Sequence, residues 1–194
     1  MNADFTVFLD RDGVINRKLP GGRFVRCWSE FEFLSGVKEA VRLLNENGIR
    51  VIVVTNQRGI GLGLYSEDDL LRLHKQMTAA LRKHGAKLNG IYYCPHADGA
   101  CACRKPGIGM FEHAFRDFGD AAPSRSVVVG DSLSDMQAAQ KLGSMKVLIG
   151  SIDRTMQSKA RATRIHIDFV ADSLLSAVQR YILPTHGRKS SKKL

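Results

Sequence analysis

The chain has no apolar run approaching the ~20 residues that a membrane-spanning helix needs. Its start, MNADFTVFLDRDG, lacks a basic segment leading into an apolar core, so it does not read as a secretory leader, and a cytoplasmic protein with no membrane partner is expected. Aromatic residues do not interleave with its basic runs, as a surface that stacks single-stranded nucleic acid requires. Internal repeats and a second domain are absent, and no large insertion supplies a separate lid. The glycine-rich stretch RGIGLGLY at 58–65 carries no Walker lysine, and no G-x-G-x-x-G opens a helix directly after a strand. It reads as a flexible turn before the next helix.

What is present suits one globular domain. The 194 residues are 44% hydrophobic and 25% charged, enough for a sizeable core. The formal charge of +10 invites a nucleic-acid reading. Much of the excess is peripheral, however: Arg188, Lys189, Lys192 and Lys193 crowd the last seven positions, and Arg154, Lys159, Arg161 and Arg164 face a single Asp153. A solvated tail and an anion-friendly rim are therefore preferred to a nucleic-acid partner. A single domain over 1–183 and a basic, disordered tail over 184–194 are expected, and the lack of an obvious association helix suggests a monomer.

Strands and helices alternate along the chain. Apolar runs predict strands at 5–9, 49–55, 90–93, 126–130, 146–149 and 166–170. Helical periodicity predicts helices at 37–47, 66–84, 110–118, 135–142 and 174–182, with Ser66 and Asp69 as a cap for the second. Such alternation implies a Rossmann-like three-layer α/β/α fold with a central parallel sheet, right-handed crossovers and no large cap domain. In the strand order 3-2-1-4-5-6, the ends at Asp10, Thr55 and Asp131 converge where ligands bind in open α/β sheets.

Asp10 and Asp12 follow the first strand at once, with Gly13 behind them. Carboxylates beside a buried strand are costly unless paired or metal-bound, so they suggest a site, although ordinary loop carboxylates explain a lone D-x-D-G equally well. Three of the four cysteines, Cys94, Cys101 and Cys103, fall within ten residues beside His96. In a cytosolic chain this spacing favours metal over disulfide, and three thiolates with one imidazole suffice for closed tetrahedral Zn²⁺. The ion is then structural and pins the loop carrying Arg104 and Lys105. Cys27 reads as a plain thiol, and the remaining histidines receive no role. The segment Arg17–Trp28, with Pro20, Gly21 and Gly22, reads as a loop placed to roof the aspartates, where Lys18, Arg23 and Arg26 either meet a second phosphate or stay solvated.

The motifs DRDGVIN at 10–16, VVTNQ at 53–57, CRKPG at 103–107 and VVGDSLSDM at 128–136 occur in the order found in haloacid-dehalogenase superfamily phosphohydrolases, which the chain resembles over about residues 5 to 150. Cys94-Pro95-His96 with Cys101-Ala102-Cys103 resembles its zinc-bearing branch, the heptose-bisphosphate and histidinol-phosphate phosphatases. The resemblance implies Asp10 as nucleophile and Asp12 as general acid. It also implies Mg²⁺ held by Asp10, Asp131 and the backbone carbonyl of Asp12, with Thr55, Asn56 and Lys105 on the phosphoryl group. Arg104 matches the substrate-recognition arginine, and Arg11, Gln57, Arg58 and Ser132 are expected beside the substrate. Asp135 reads either as a helix N-terminal carboxylate or as an outer partner to the magnesium. The implied substrate is a small sugar bisphosphate, foremost the 7-phosphate of D-glycero-D-manno-heptose 1,7-bisphosphate. Histidinol phosphate, a polynucleotide 3′-phosphate and a non-catalytic zinc-stapled module are the alternatives.

Overall fold

The computed structural model describes residues 5–97, 99, 101–151, 158 and 160–186. Six strands form one parallel sheet: β1 Thr6–Leu9, β2 Arg50–Asn56, β3 Gly90–Cys94, β4 Ser126–Gly130, β5 Met145–Ile149 and β6 Phe169–Ala171. Their order is β3-β2-β1-β4-β5-β6, so the first strand in sequence is central and both its neighbours come from later in the chain. The helices are α1 Val37–Glu46, α2 Arg58–Gly61, α3 Glu67–Arg82, α4 Gly109–Asp117, α5 Leu133–Leu142, α6 Leu174–Ala177 and α7 Leu183–His186. A π-helical turn, Val178–Ile182, joins the last two.

The period-two geometry of a strand divides the core into two faces. Val7 and Leu9, Val51 and Val53, and Val127 and Val129 point to one side, where α1, α3 and the C-terminal helices cover them. Phe8, Ile52, Val54 and Val128 point to the other, against Met110, Phe111 and Ala114 of α4 and Ala138 and Ala139 of α5. Phe8 packs edge-on against Phe111 and Phe115, with ring centroids 5.1 and 5.4 Å away. Strands buried on both faces explain the unbroken apolar runs that marked them in sequence.

Three expectations are corrected. RGIGLGLY is a packed helical turn at its start and not a flexible one: Gly59 is buried, and a Cβ there would lie 2.2 Å from the Tyr65 ring. Helix α5 begins at Leu133, two residues early, because Ser132 and Asp135 form a capping box. The tail does not start at Pro184, since the helix continues to His186, whose ring stacks on Phe5 at 4.0 Å. The wide π turn before Pro184 makes room for a ring that an α-helical interior rejects. Residues 187–194 lie outside the described residues, as do Asp153, Arg154 and Lys159.

Candidate active site

The register sets the site. Leu9 lies level with Val53 on one side and Val129 on the other, so Asp10 is one step past the last paired row. Its amide still donates to the Val129 carbonyl at 2.9 Å. Thr55 and Asp131 then follow from the flanking strands, and three polar ends meet above the centre of the sheet.

Beyond Asp10 the chain turns tightly. The amides of Ile15 and Asn16 both donate to the Arg11 carbonyl, at 2.8 and 3.0 Å, and the Gly13 amide donates to the Asn16 carbonyl at 2.7 Å. Gly13 has φ +94°, and a Cβ there would stand 1.9 Å from Asp131 Oδ2. Only glycine both adopts this backbone and lets the loop pass over the carboxylate. Gly130, in ordinary strand backbone, leaves room in turn for Asp135, whose side chain would meet a Cβ at 2.2 Å.

Charge is concentrated here. Carboxylate oxygens of Asp10, Asp131 and Asp135 all lie within 4.8 Å of one another. Lys105 is 3% exposed and ion-pairs with Asp10 at 3.1 Å and Asp135 at 2.6 Å, while also donating to the Val54 carbonyl at 2.8 Å. Lys18 reaches Asp131 at 2.6 Å from the loop that follows. Two ammonium groups do not balance the cluster: burial, together with Asp135, Asp12 and Asp131, pushes Asp10 up to about 7 despite Lys105. A hard cation suits such an all-oxygen donor set and would return Asp10 to its ionised form.

Asp12 sits in a different environment. Burial alone would raise its carboxyl, but the Arg11 guanidinium and hydrogen bonds from Asn16, Arg11 and Gln57 hold it below the usual carboxylate range. Gln57 Nε2 donates to Asp12 Oδ2 at 3.1 Å and to Thr55 Oγ1 at 2.8 Å, and its Oε1 accepts from the Tyr65 hydroxyl at 2.6 Å. Because Thr55 Oγ1 accepts from Gln57, its own hydroxyl proton stays available to a ligand.

The remaining expected residues fall into two groups. Asn56 spends its amide on the Lys105 backbone, donating to the carbonyl at 3.1 Å and accepting from the amide at 3.0 Å, so it clasps the CRKPG loop to the end of β2. Arg11 and Gln57 are each 1% exposed; Gln57 turns away from its expected place beside the substrate, whereas Arg11, though buried, still borders the cavity next to Asp12. The Arg11 guanidinium lies behind Asp12, donating to its Oδ1 at 3.0 Å, to the Val25 carbonyl at 3.4 Å and to His74 Nε2 at 3.3 Å. Ser132 hydrogen-bonds Asp135 and Ser134 as the cap of α5. Arg58 is half-buried at the first position of α2, and Arg104 is half-buried between Cys103 and Lys105.

Next to this centre, Cys94, His96, Cys101 and Cys103 gather their ligand atoms within 4.8 Å. The three sulfurs are 3.1 to 3.4 Å apart, and His96 Nδ1 is 3.3 Å from Cys103 Sγ and 3.6 Å from Cys94 Sγ. These separations are far beyond a disulfide bond and match a four-ligand N/S metal cluster.

The comparisons with known proteins agree with this geometry. A family profile described as HAD-hydrolase-like matches residues 102–177. A Mycobacterium bovis protein named D-glycero-alpha-D-manno-heptose-1,7-bisphosphate 7-phosphatase is 42% identical over 137 residues, 70% of this chain and 72% of its own. The Haemophilus ducreyi protein named for the beta anomer is 38% identical over 181 residues, 89% of this chain and 95% of its own. The chain belongs to the family of these heptose-bisphosphate phosphatases. The phosphatase superposes, with a TM-score of 0.80 and 30% identity, on a D,D-heptose 1.7-bisphosphate phosphatase from B. bronchiseptica crystallised with magnesium and phosphate, covering 93% of this chain and 99% of that one.

Two residues of this phosphatase escaped the sequence reading of the site. Tyr65 was read as part of a flexible turn, and His74 received no role. Burial pushes the Tyr65 phenol up to about 12, so it donates to Gln57. Burial and Arg11 lower His74 to about 3, so its neutral ring accepts from Arg11. No local signal identifies either, because their partners are 8 and 63 residues away. Of the two readings of Asp135, the helix-terminal one is seen as the capping box with Ser132, and its carboxylate is also fully buried against Lys105 beside Asp10 and Asp131.

Proposed function

We propose that the enzyme is a Mg²⁺-dependent phosphatase that releases the 7-phosphate of D-glycero-D-manno-heptose 1,7-bisphosphate through an aspartyl-phosphate on Asp10. The observation that carries the chemistry is the meeting of Asp10, Thr55 and Asp131 at adjacent strand ends, with Lys105 of the CRKPG loop on Asp10 and Asp12 on the turn above them. The family relationship supports the substrate.

Asp10 and Asp131 would hold the magnesium with the Asp12 carbonyl, as the donor set and the raised Asp10 support. The ion supplies neutralisation of the phosphoryl oxygens and of the carboxylate cluster. An Asp10 carboxylate oxygen attacks phosphorus as the bond from phosphorus to the C7 oxygen breaks, with Thr55 and Lys105 donating to the phosphoryl oxygens. Asp12 delivers its proton to the departing alkoxide. In the free enzyme Asp12 is ionised, but a phosphate dianion entering the cavity displaces water and adds negative charge, which raises it to the protonated form this step needs. Asp12 then takes a proton from water, the water oxygen attacks phosphorus, and the bond to Asp10 breaks to release phosphate.

Zinc on Cys94, His96, Cys101 and Cys103 would be structural, because four protein ligands leave no open position. Its service is to fix the loop that delivers Arg104 to the substrate and Lys105 to Asp10. We read the enzyme as a cytoplasmic monomer.

Phosphate release with Mg²⁺ tests the proposal, comparing both anomers of the heptose bisphosphate with histidinol phosphate and a 3′-phosphorylated oligonucleotide. A preference of at least ~100-fold in kcat/KM for one heptose anomer is expected, worth ~2.7 kcal/mol of transition-state binding. Histidinol phosphate or the oligonucleotide winning by that margin overturns the substrate. An Asp10→Asn variant that retains turnover overturns the mechanism.

A further inference from the structure

The substrate proposed above carries a second phosphate, and the catalytic centre accounts only for the scissile one. A cavity of about 320 Å³ opens beside that centre. Arg11, Asp12 and Asn56 line it together with Lys18, Leu19, Arg23 and Phe24 of the loop after β1.

That loop carries four cations, and their ion pairs differ. Arg17 pairs with Glu32 at 3.0 Å. Arg26 pairs with Glu30 at 2.8 Å, and its amide donates to the same carboxylate at 2.9 Å. Lys18 is committed to Asp131, at 2.7 and 2.6 Å from its two oxygens. Among the described residues Arg23 alone of the four has no carboxylate partner, and it stands on the rim of the cavity that holds Asp12.

The backbone presents Arg23 at a defined place. Immediately after it, the Phe24 ring packs 6.3 Å from the Tyr65 ring, and Val25 is buried with its carbonyl taken by Arg11. Immediately before it, Gly21 and Gly22 have φ of +68° and +70° and turn the chain through open space. The guanidinium thus projects from a pinned segment, and the same Arg11 that holds Asp12 also holds that segment. Glu30 lies close enough to feel the Arg23 charge, but both its oxygens are engaged by Arg26, so the Arg23 fork makes no ion pair of its own. Beside a cavity leading to the phosphoryl centre, it fits a bidentate phosphate ligand.

We infer that Arg23 binds the distal phosphate of the substrate, and that this contact makes the enzyme select a bisphosphate over a monophosphate. The inference rests on the heptose-bisphosphate reading. It divides the work between two arginines from different loops: Arg104 comes from the CRKPG loop and Arg23 from the loop after β1.

The test is steady-state hydrolysis of the 7-phosphate from two substrates, the heptose 1,7-bisphosphate and the heptose 7-phosphate, by wild type, Arg23→Gln, Arg23→Lys and Arg26→Gln. For Arg23→Gln the ratio of the two kcat/KM values should fall ten- to a hundred-fold toward unity, through KM of the bisphosphate with kcat little changed. Arg23→Lys should recover part of the ratio as a point charge, and Arg26→Gln should keep it. An unchanged ratio in Arg23→Gln overturns the assignment, as does an equal loss on both substrates, which marks a loop-folding role. Wild type that hydrolyses neither heptose ester overturns the functional reading and the distal phosphate with it, whereas active wild type with an indifferent Arg23 overturns the latter alone.

Discussion

Replacing Asp10, the proposed nucleophile, should make the magnesium-free protein more stable. Asp10 is raised to about 7 from an ordinary 3.8 by burial and by three neighbouring carboxylates, Asp135, Asp12 and Asp131. Each pH unit in that interval is worth ~1.4 kcal/mol, which sets a ceiling of ~4 kcal/mol on the cost of ionising it in the fold. Relaxation around the site reduces this to ~2–3 kcal/mol. Asp10→Asn removes the charge and keeps the shape, while Lys105 retains Asp135 at 2.6 Å and the Val54 carbonyl. The sign follows from proton binding. Between pH 4 and 7 the folded state holds a proton that the unfolded state has released, so the wild type loses stability as pH rises through this window. The variant does not. In zinc-replete, magnesium-free buffer at pH 8, Asp10→Asn should therefore melt roughly 4–12 °C above wild type, with the gap shrinking to under ~1 kcal/mol near pH 4. Magnesium at 100 times its dissociation constant should raise the wild type by ~2.7 kcal/mol and the variant by less, while the variant's phosphatase activity is abolished. A variant less stable than wild type at pH 8, or a gap equal at pH 4 and pH 8, would refute the account of a carboxylate held at electrostatic cost for catalysis.

Three further outcomes are expected. Gly13→Ala should raise the magnesium concentration for half-maximal activity ~10–100-fold, since its Cβ meets Asp131 and its backbone is left-handed; an unchanged magnesium titration contradicts this. Gln57→Leu should lower kcat ~10–100-fold with little change in KM and raise the Asp12 pKa, read by carboxyl NMR titration, because Asp12 and Thr55 lose their shared donor; an unmoved Asp12 refutes the role. Stripping zinc should lower Tm and abolish activity that magnesium alone does not restore, because Cys103 adjoins Arg104 and Lys105; full activity in zinc-free protein refutes the structural role.

The six apolar runs and the polar residues Asp10, Thr55 and Asp131 at their ends were legible in the sequence, for a local reason; their convergence was legible only on the assumed strand order 3-2-1-4-5-6, which the sheet has. A parallel sheet buried on both faces writes itself as continuous Val, Ile and Phe, and polar residues at the ends of such runs stand out. The Cys94 to Cys103 spacing is equally local, since all four ligand atoms sit within ten residues. The C-terminal boundary at Pro184 failed because proline's effect depends on the turn before it and on the Phe5 ring that receives His186.

What only the tertiary structure decided is which polar residues face the ligand cavity and which hold the ones that do. Arg11 and Gln57 adjoin the proposed catalytic residues in sequence, yet both are buried and spend their side chains on fastening Asp12. Tyr65 and His74 complete those contacts from distant segments, and Asn56 holds a loop instead of a phosphate. Residue type and spacing determine what chemistry a segment can perform. The direction of a buried hydrogen bond depends on partners that only the closed sheet and its helices bring into contact.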